Sequence, residues 1–393
     1  MTFNQEQEPL KSCLKNKNLH IIFAVTLMAV LGVASITPAF PVMAQALHIS
    51  PQQIGLLITF FTLPGIFLTP FLGILADRYG RKRILIPSLI LFGVAGTACA
   101  FLQSFEALLI ARFLQGIGSA ALGALNVTLI GDLFKGKQRT AAMGYNASVL
   151  SIGTASYPTI GGSLALLGWH YPFLLPVFAL PIAFIVLFFL ETPQIATPSG
   201  LKSYLSLALK SMSNREVISL YLASLMTFVI LYGAYLTYFP ILLDHKFKIN
   251  SFTIGLIMSS MSATTALTSY FLGHLTSFFS EKMLIKISYI LYTCSLLIIP
   301  AVKSLPLFLI ATILFGMAQG MNIPSVQTLL AGLAPAEFRA VFMSVNGTVL
   351  RLGQTLGPVI AGLSFAWWGI DGAFLSSAGL AVGVGIFLFF LIP

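Results

Sequence analysis

The stretch GILADRYGRKR, residues 73–83, places four cations and one carboxylate between two long apolar runs of the chain. Charges at this density lie at a membrane surface, because a single charged side chain near the bilayer centre costs about 2.5–3.5 kcal/mol on the insertion scale. The flanking runs, 52–76 and 84–102, have the length of roughly 20 residues that a membrane-spanning helix needs. The stretch therefore predicts a loop that joins two transmembrane helices.

The rest of the chain has the composition of a membrane protein. Hydrophobic residues make up 57% of its 393 residues and charged residues only 8%, whereas a soluble domain has about 25% charged residues. A water-soluble fold is therefore excluded. At roughly 20 residues per span, the length accommodates about a dozen helices with short loops. We predict spans at 19–42, 52–76, 84–102, 106–132, 140–168, 170–191, 215–243, 251–279, 284–302, 305–333, 337–368 and 370–392.

The net charge of +10 follows the loops between these spans. If the N-terminus is cytoplasmic, most Lys and Arg residues fall in the tail and the inner loops, and the outer loops keep only Lys246, Lys248 and Lys303. The positive-inside rule then places both termini in the cytoplasm, and we expect the chain in the cell inner (plasma) membrane. The basic charge thus indicates topology and no nucleic-acid partner. The three scattered cysteines predict neither a disulfide nor a metal site.

An internal repeat determines the predicted architecture. A shift of 200 residues brings Gly73 onto Gly273, and the later pairs include Gly153 with Gly353 and Gly162 with Gly362. An even number of spans separates each residue from its partner, so both halves insert with the same orientation. We predict an all-α membrane protein of twelve transmembrane helices in two parallel six-helix repeats. Its parts are a cytoplasmic tail (1–18), a first bundle (19–191), a cytoplasmic linker (192–214) and a second bundle (215–393).

These motifs resemble the major facilitator superfamily, and within it the twelve-helix drug:proton antiporter class. The superfamily's loop motif is matched at Gly73, Asp77, Arg78, Gly80, Arg81 and Lys82. Arg112 followed by Gln115-Gly116 resembles a second family motif. The antiporter signature of helix 5 is matched at Gly144, Gly153, Pro158, Gly161 and Gly162, and helix 11 echoes it at Gly353, Gly357, Pro358 and Gly362. Tyr157 stands where the family usually has glycine.

The resemblance implies a secondary active transporter, not an enzyme, that exports small amphipathic compounds in exchange for protons by alternating access. Its expected partners are that substrate, protons and membrane lipid, and it is expected to be a monomer without cofactor or metal. No phosphate-binding loop of the Gly-x-x-x-x-Gly-Lys-Ser/Thr type is present, so the chain itself does not use ATP. The alternatives are a transporter of a defined metabolite, such as a sugar or a siderophore-like anion, and a non-transporting membrane sensor on the same fold.

The charged stretch has a predicted gating role. Gly73 leaves room for another helix to approach, and Asp77 lies one helical turn later on the same face, within reach of Arg81. We predict that these residues form a latch that pairs the first half with helix 11 and closes the cytoplasmic side. An anchor at the membrane surface is the alternative. The counterpart stretch keeps Gly273 but has Ser277 in place of the aspartate, so one half alone carries the full latch.

Two permanent charges, Arg112 and Arg351, fall inside predicted spans. Each costs about 2.5 kcal/mol or more near a helix centre, so each should face water, a partner or substrate. Arg112 lies near Glu106, and an extended side chain that reaches the outer surface is an alternative for it. Arg351 lies about 18 Å beyond Arg339 at 1.5 Å per residue, too deep for that alternative. It is the stronger functional candidate.

No acidic residue lies near the middle of a predicted span. A transporter's usual proton carrier, a buried carboxylate, is therefore missing. Asp77 and Asp132, near the cytoplasmic face, remain as candidate carriers, with Arg112 and Arg351 as candidates for a charge relay. The same absence favours a neutral, zwitterionic or anionic substrate over a cationic one.

Helices 1, 4, 7 and 10 line the central cavity in the superfamily that the sequence resembles. Helix 7 carries Phe228, Tyr232, Tyr235 and Phe239 at helical spacing, which predicts one aromatic face for substrate, with packing as the alternative. The hydrogen-bonding candidates are Gln115 and Asn126 in helix 4 and Gln319, Asn322 and Gln327 in helix 10, with bonds between helices as their competing role. Asn146 and Asn346 occupy equivalent repeat positions and are expected to be structural.

The Gly- and Pro-rich helices 5 and 11 suggest a moving contact between the halves. Pro158 and Pro358 permit a bend in each helix, and small residues at four-residue spacing let neighbouring helices approach closely. We hypothesise that these two helices slide past the opposite half during transport.

Overall fold

The structure is a computed structural model that describes residues 14–191, 214–335 and 339–391. The side chains of Asp77, Arg339 and Ala340 lie outside this description, as do most of the predicted tail and linker. The described residues form helices connected by short turns, and no strand occurs among them.

The helices follow one another in two sets, labelled here α1 to α12. The first set comprises α1 (Lys17–Ala46), α2 (Leu56–Tyr79), α3 (Arg81–Ala98), α4 (Phe105–Leu133), α5 (Gly136–Ala165) and α6 (Tyr171–Phe189). The second comprises α7 (Arg215–Phe247), α8 (Ser251–Tyr270), α9 (Glu281–Ala301), α10 (Phe308–Leu333), α11 (339–368) and α12 (370–391). The last two adjoin at Gly369, whose φ of 69° and ψ of −168° interrupt the helix where the sequence predicts the boundary.

Nine segments of the described residues are long and apolar enough to cross a membrane, and one of them, Val341–Leu391, includes both α11 and α12. Helices α5 and α8 are not among the nine. Helix α5 is rich in Gly, Ser and Thr and α8 in Ser and Thr, and the two helices pack against each other. Their low hydropathy is therefore explained by the small and polar residues at the interface between the two helices. With α5, α8 and the division at Gly369 the spans would number twelve, and that count stays a prediction.

Local sequence signals set several helix ends. The side-chain oxygens of Ser104, Asn250 and Ser280 accept the first free backbone N–H groups of α4, α8 and α9, an interaction worth about 1 kcal/mol for each helix. Gly80 ends α2 and precedes α3 with a φ of 99°. Residues with a Cβ rarely adopt that conformation, which explains the glycine within the charged stretch.

The predicted eighth span is too long. Helix α8 ends at Tyr270, a separate turn follows at Leu272–Leu275, and the chain then turns until α9 begins. The Thr276 and Ser277 hydroxyls donate to the carbonyl oxygens of Gly273 and His274. Hydroxyls that bond nearby backbone compete with helix propagation, so the helix stops earlier than its hydrophobic pattern predicts.

The two sets of helices pack in the same pattern. Helix α1 contacts α5 as α7 contacts α11, α2 contacts α4 as α8 contacts α10, and α3 contacts α4 as α9 contacts α10. The buried hydrophobic residues form two clusters, one between Leu19 and Leu190 and one between Val217 and Leu388. This equivalence is what a parallel six-helix repeat requires.

Candidate transport site

The two bundles meet tightly along α5 and α8. A side chain at Gly162 would overlap the carbonyl oxygen of Ser251, and one at Gly255 would overlap that of Pro158. About one helical turn nearer the middle of the two helices, the hydroxyls of Thr159 and Ser259 lie 2.7 Å apart. Direct backbone contact of this kind leaves no room for water or substrate between the helices. We call this region the closed end of the molecule.

The second contact between the bundles joins α2 and α11 at the same end. The Thr59 hydroxyl donates to the carbonyl oxygen of Thr355 at 3.2 Å, and the Thr62 and Thr355 hydroxyls lie 2.8 Å apart. A Cβ at Gly55 would be 3.2 Å from the Pro358 ring. These threonines give the contact hydrogen bonds as well as packing. The sequence analysis did not single them out, although Thr59, Thr62 and Thr355 are polar groups inside apolar spans.

At the end that carries the charged stretch, the described glycines show no such close approach of the two bundles. Cβ atoms added at Gly73, Gly144, Gly273 or Gly347 would meet none of the described atoms within 4 Å. The close helix approach predicted at Gly73 is therefore absent among the described residues of this conformation. We call this region the open end. The conformation is closed at one end and open at the other, and the predicted latch between the stretch and α11 is not formed among the described residues.

The charged stretch instead makes contacts within the first bundle. Arg81 donates from Nε to Asp132 Oδ2 at 3.0 Å, with side chains that are 8% and 15% exposed. Lys82 donates to the carbonyl oxygen of Leu190 at 3.2 Å. Arg78 is exposed beside Tyr79. The Asp77 part of the prediction lies outside the described side chains, and the sequence analysis missed Asp132 as the partner of Arg81.

Arg112 is held entirely by protein groups. It is 1% exposed, and its guanidinium donates to the carbonyl oxygens of Leu57 at 3.1 Å and Gly32 at 2.8 Å and to Gln115 Oε1 at 2.6 Å. It also lies 4.2 Å from the centre of the Phe61 ring. The side chain does not extend to the outer surface, so that alternative is wrong. Arg112 thus joins α1, α2 and α4. The Gln115 side chain accepts a hydrogen bond from Arg112 and does not face substrate.

Arg351 lies between the bundles. A Cβ at Gly65 of α2 would be 3.1 Å from Arg351 Cδ, and one at Gly123 of α4 would be 3.5 Å from Arg351 Nη2. Arg351 lies one helical turn from Thr355 toward the open end. Within the described part of the chain its guanidinium makes one hydrogen bond, from Nη1 to Gln354 Oε1 at 3.1 Å. Unlike Arg112, this side chain keeps donors available at the point where the bundles separate.

The amides predicted to bind substrate in the first bundle bond to its own helices. Asn126 donates to the Thr26 hydroxyl at 3.0 Å, and that hydroxyl lies 2.6 Å from Asn146 Oδ1. These bonds join α1, α4 and α5. The competing structural role therefore describes Asn126 better than substrate binding, and the structural expectation for Asn146 agrees with the geometry.

The second bundle has a similar network. Gln319 accepts from the Tyr292 hydroxyl at 2.5 Å. Asn322 accepts from the Thr227 hydroxyl at 3.0 Å and donates to Ser288 at 2.8 Å. Gln319 thus joins α9 and α10, whereas Asn322 joins both to α7. Gln327 alone of the predicted helix 10 group lines open space without a side-chain hydrogen bond among the described residues.

Helix α7 does not present one aromatic face. A π-helical segment, Leu231–Tyr238, shifts the angular spacing of its side chains. Phe228 and Tyr232 stack on each other with ring centres 6.0 Å apart, whereas Tyr235 is buried between the rings of Phe239 and Phe315. The prediction of a single face is wrong because a π-helix has a longer period than an α-helix. Phe228 and Tyr232 stay candidates, and Tyr235 belongs to the core.

A narrow pocket with both polar and apolar lining lies in the second bundle beside Phe228. Its lining comes from α7, α10 and α11 and comprises Ser224, Thr227, Phe228, Asn322, Ile323, Val326, Gln327, Asn346 and Leu350. Asn346 is 2% exposed and its buried Oδ1 has no hydrogen-bond partner. The structural expectation for Asn346 is therefore wrong, since its equivalence with Asn146 in the sequence does not extend to its contacts.

The glycines of the antiporter signature serve different contacts. Gly161 packs on the Ser35 carbonyl and Gly153 on Leu27, both in α1 of the same bundle. In α11, Gly353 and Gly357 pack on α7 backbone, and Gly362 lies by Tyr238. The helix 11 glycines are thus within one bundle, and the predicted sliding contact is wrong for them. The contacts between bundles involve Gly162 and Pro158 in α5 and Pro358 in α11.

Comparison with known proteins gives this architecture a family. The family model described as Major Facilitator Superfamily matches residues 22–248 and 237–393. Multidrug resistance protein 1 of Bacillus subtilis (strain 168) is 26% identical over 377 residues, covering 95% of this chain and 96% of that protein. Quinolone resistance protein NorA of Staphylococcus aureus (strain MRSA252) is 26% identical over 357 residues, covering 89% and 90%. The Bacillibactin exporter of B. subtilis is 35% identical over 164 residues, covering 40% and 41%.

Solved structures agree on the fold. A bacterial homologue of the human lysosomal transporter Spinster, in an inward-facing and occupied conformation, superimposes with a TM-score of 0.78 at 17% identity, covering 98% of this chain and 97% of that one. The nucleoside transporter NupG gives a TM-score of 0.76 at 15% identity, covering 96% and 99%. The protein is therefore an all-helical, multi-pass membrane transporter and not an enzyme, and the chain belongs to the Major Facilitator Superfamily.

Proposed function

We propose that this protein exports small amphipathic compounds across the plasma membrane in exchange for protons, by alternating access between its two bundles. The observation that supports this most is the asymmetry of the contact between them. At the closed end Gly162 and Gly255 rest on opposing backbone, and at the open end Gly73 and Gly347 meet none of the described atoms within 4 Å. If a carrier has one end sealed and the other open, a rocking motion of its bundles is enough to exchange the sealed end for the open end.

The proposed orientation has both termini in the cytoplasm. It is supported by the concentration of Lys and Arg in the tail and inner loops. In that orientation the open end faces the cytoplasm, as expected for an exporter waiting for substrate. The similarity to multidrug and quinolone resistance proteins supports the substrate class. We propose that the unit is a monomer with no cofactor, and that it acts on substrate and protons in lipid without binding nucleic acid.

Proton coupling is proposed through the open end. Asp132 carries the ion pair with Arg81 between α3 and α4 at 3.0 Å, and every acid within the described helices lies near a helix end. Protonation of Asp132 removes its charge and weakens the ion pair with Arg81. A bound proton would in this way change how firmly the charged stretch is held against α4. Asp77 is the second proposed carrier. Arg112 is too fully bonded to be displaced easily, so we do not assign it to the relay.

A second candidate function is export of one defined metabolite, in particular a siderophore-like anion. The available guanidinium of Arg351 between the bundles favours it, and the similarity to the Bacillibactin exporter over part of the chain agrees with it. A sugar is less favoured, because most amides inside the bundles already bond to protein groups. A non-transporting sensor has no specific support.

The test is transport in proteoliposomes with an imposed pH gradient. We expect a fluorescent amphiphile to move against its own gradient when the proton gradient is present and to stop when an ionophore removes it. Movement that ignores the proton gradient would refute the coupling. No movement of any amphiphile, sugar or siderophore by correctly folded protein would refute transport of these classes.

A further inference from the structure

The two intramembrane arginines are in opposite states. Arg112 has three protein acceptors and an aromatic ring around one guanidinium. Arg351 has a single side-chain acceptor, Gln354, within the described residues. Both are permanent cations, and a permanent cation in a membrane interior needs acceptors. The unused donors of Arg351 therefore point to a group that the protein itself does not supply.

The described residues place no negative charge next to Arg351. Every Asp and Glu of the described helices lies within a few residues of a helix end. Arg351, by contrast, lies about 18 Å along α11 from residue 339, at 1.5 Å per residue. Its neighbours among the described residues include Gly65, Gly123, Tyr232 and Gln354, none of them acidic. The field between the bundles thus favours an anion and disfavours a cation.

A second feature of the same helix indicates another polar contact for the same ligand. Asn346 lies five residues before Arg351, about 7.5 Å along the helix axis. Its amide makes no hydrogen bond within the described residues and its Oδ1 is buried in the cavity wall beside Phe228 and Leu350. An unpartnered buried amide costs about 1–3 kcal/mol, so a ligand group that bonds to it gains that energy back. The stacked Phe228 and Tyr232 rings offer an apolar surface between the two polar points.

We infer that the protein binds an amphipathic organic anion whose carboxylate pairs with Arg351, whose ring packs on Phe228 and Tyr232, and whose hydrogen-bonding group on the opposite side of the ring reaches Asn346. This inference rests on the proposed transport function and specifies its substrate class. Arginine is suited to this task because its planar fork matches a carboxylate with two parallel hydrogen bonds. A cation of the same shape is excluded by charge, which separates this chain's site from one built around a membrane carboxylate.

The test is equilibrium dialysis of the full-length protein in lipid nanodiscs against two probes that differ only in charge, 2-naphthoate and 2-naphthamide. We expect the naphthoate to bind at least about tenfold more tightly, as a charge-assisted bidentate pair implies. Arg351→Gln should abolish this preference, and Arg351→Lys should keep part of it. Lys286→Gln removes the same charge from α9, where the ammonium lies over the Phe389 ring, and should leave the preference unchanged.

A third probe, 6-hydroxy-2-naphthoate, tests Asn346, because its hydroxyl lies at the opposite end of the ring system from the carboxylate, as the separation of Asn346 from Arg351 requires. Its added hydroxyl should improve affinity in the unmodified protein, and the gain should disappear in Asn346→Leu while the charge preference persists. Equal binding of naphthoate and naphthamide, or a preference that survives Arg351→Gln, overturns the inference. If Arg351→Gln cannot be purified folded, the unmodified protein and Arg351→Lys still test the inference. The arginine–carboxylate pair is refuted if the unmodified protein shows no preference for naphthoate, or if Arg351→Lys keeps the whole of that preference.

Transport of the same probes separates this inference from the proposed function. Proteoliposomes that move naphthamide or a naphthylmethyl-trimethylammonium cation but neither bind nor move naphthoate would retain the transporter and refute the anion site. Naphthoate binding that depends on Arg351, with no probe transported, would retain the site and refute transport. Naphthoate that is bound through Arg351 and transported supports both.

Discussion

Replacing Arg112 should destabilise the protein far more than replacing Arg351, although both are cations within spans. Arg112→Met leaves the acceptors on Leu57, Gly32 and Gln115 without their donor. Each loss costs about 1 kcal/mol, since the two carbonyls retain helix bonds, and loss of the cation–π contact with Phe61 adds about 1 kcal/mol. Relief of the buried charge offsets part of this. The expected loss in the free energy of unfolding is about 2–4 kcal/mol.

Arg351→Met removes one hydrogen bond, to Gln354, and little packing. The expected loss is below about 1 kcal/mol, with binding of an anionic substrate lost instead. The assay is reversible unfolding of both variants in mixed micelles, followed by circular dichroism, with naphthoate binding measured on the same samples. Equal destabilisation by the two substitutions would refute the assignment of Arg112 to structure and Arg351 to ligand. Arg112→Lys is the matched control, and its loss should lie between the two.

Three further results are expected. Gly162→Leu should abolish transport by forcing the closed end apart, whereas Gly144→Leu, at the open end, should leave substrate binding intact in the conformation described; fluorescent substrate efflux and binding on the same membranes check this, and equal effects would contradict it. Asp132→Asn should weaken the interaction between Asp132 and Arg81 without touching the cavity. Transport driven by a pH gradient should therefore fall about tenfold, a factor that corresponds to 1.4 kcal/mol, whereas exchange of substrate at equal pH should persist. Tyr235→Phe should lower the free energy of unfolding by about 1 kcal/mol through loss of its hydroxyl bond to Met258 and leave substrate affinity unchanged, and a change in affinity would return Tyr235 to the cavity.

Hydropathy and the internal repeat predicted the helices because both are read directly from the sequence. The break at Gly369 was predictable from a glycine between two apolar runs, and the position of Gly80 from its place within a charged turn. The early end of α8 was not predicted, since the hydroxyls of Thr276 and Ser277 compete with helix bonds in a way that hydropathy does not register. The span prediction thus errs where local hydrogen bonding opposes the apolar pattern.

The site was predictable in part. Depth in the membrane was enough to select Arg351, but the saturation of Arg112 depends on carbonyl groups of α1 and α2 that no sequence pattern shows. The π-helical segment of α7 separated Tyr232 from Tyr235 because helical spacing assumes a regular α-helix. Equivalent repeat positions failed to predict contacts for Asn346, because its partners would come from other helices that have diverged between the halves.

The most direct test of alternating access is a pair of spin-label distance measurements, one at each end of the α5 and α8 pair. Cysteines in place of Gly144 and Gly273 report the open end, and cysteines in place of Leu166 and Phe252 report the closed end on exposed positions. The proposed mechanism predicts reciprocal changes: substrate with a proton gradient shortens the first distance and lengthens the second. Distances at both ends that stay fixed, or that change in the same direction, would contradict alternating access.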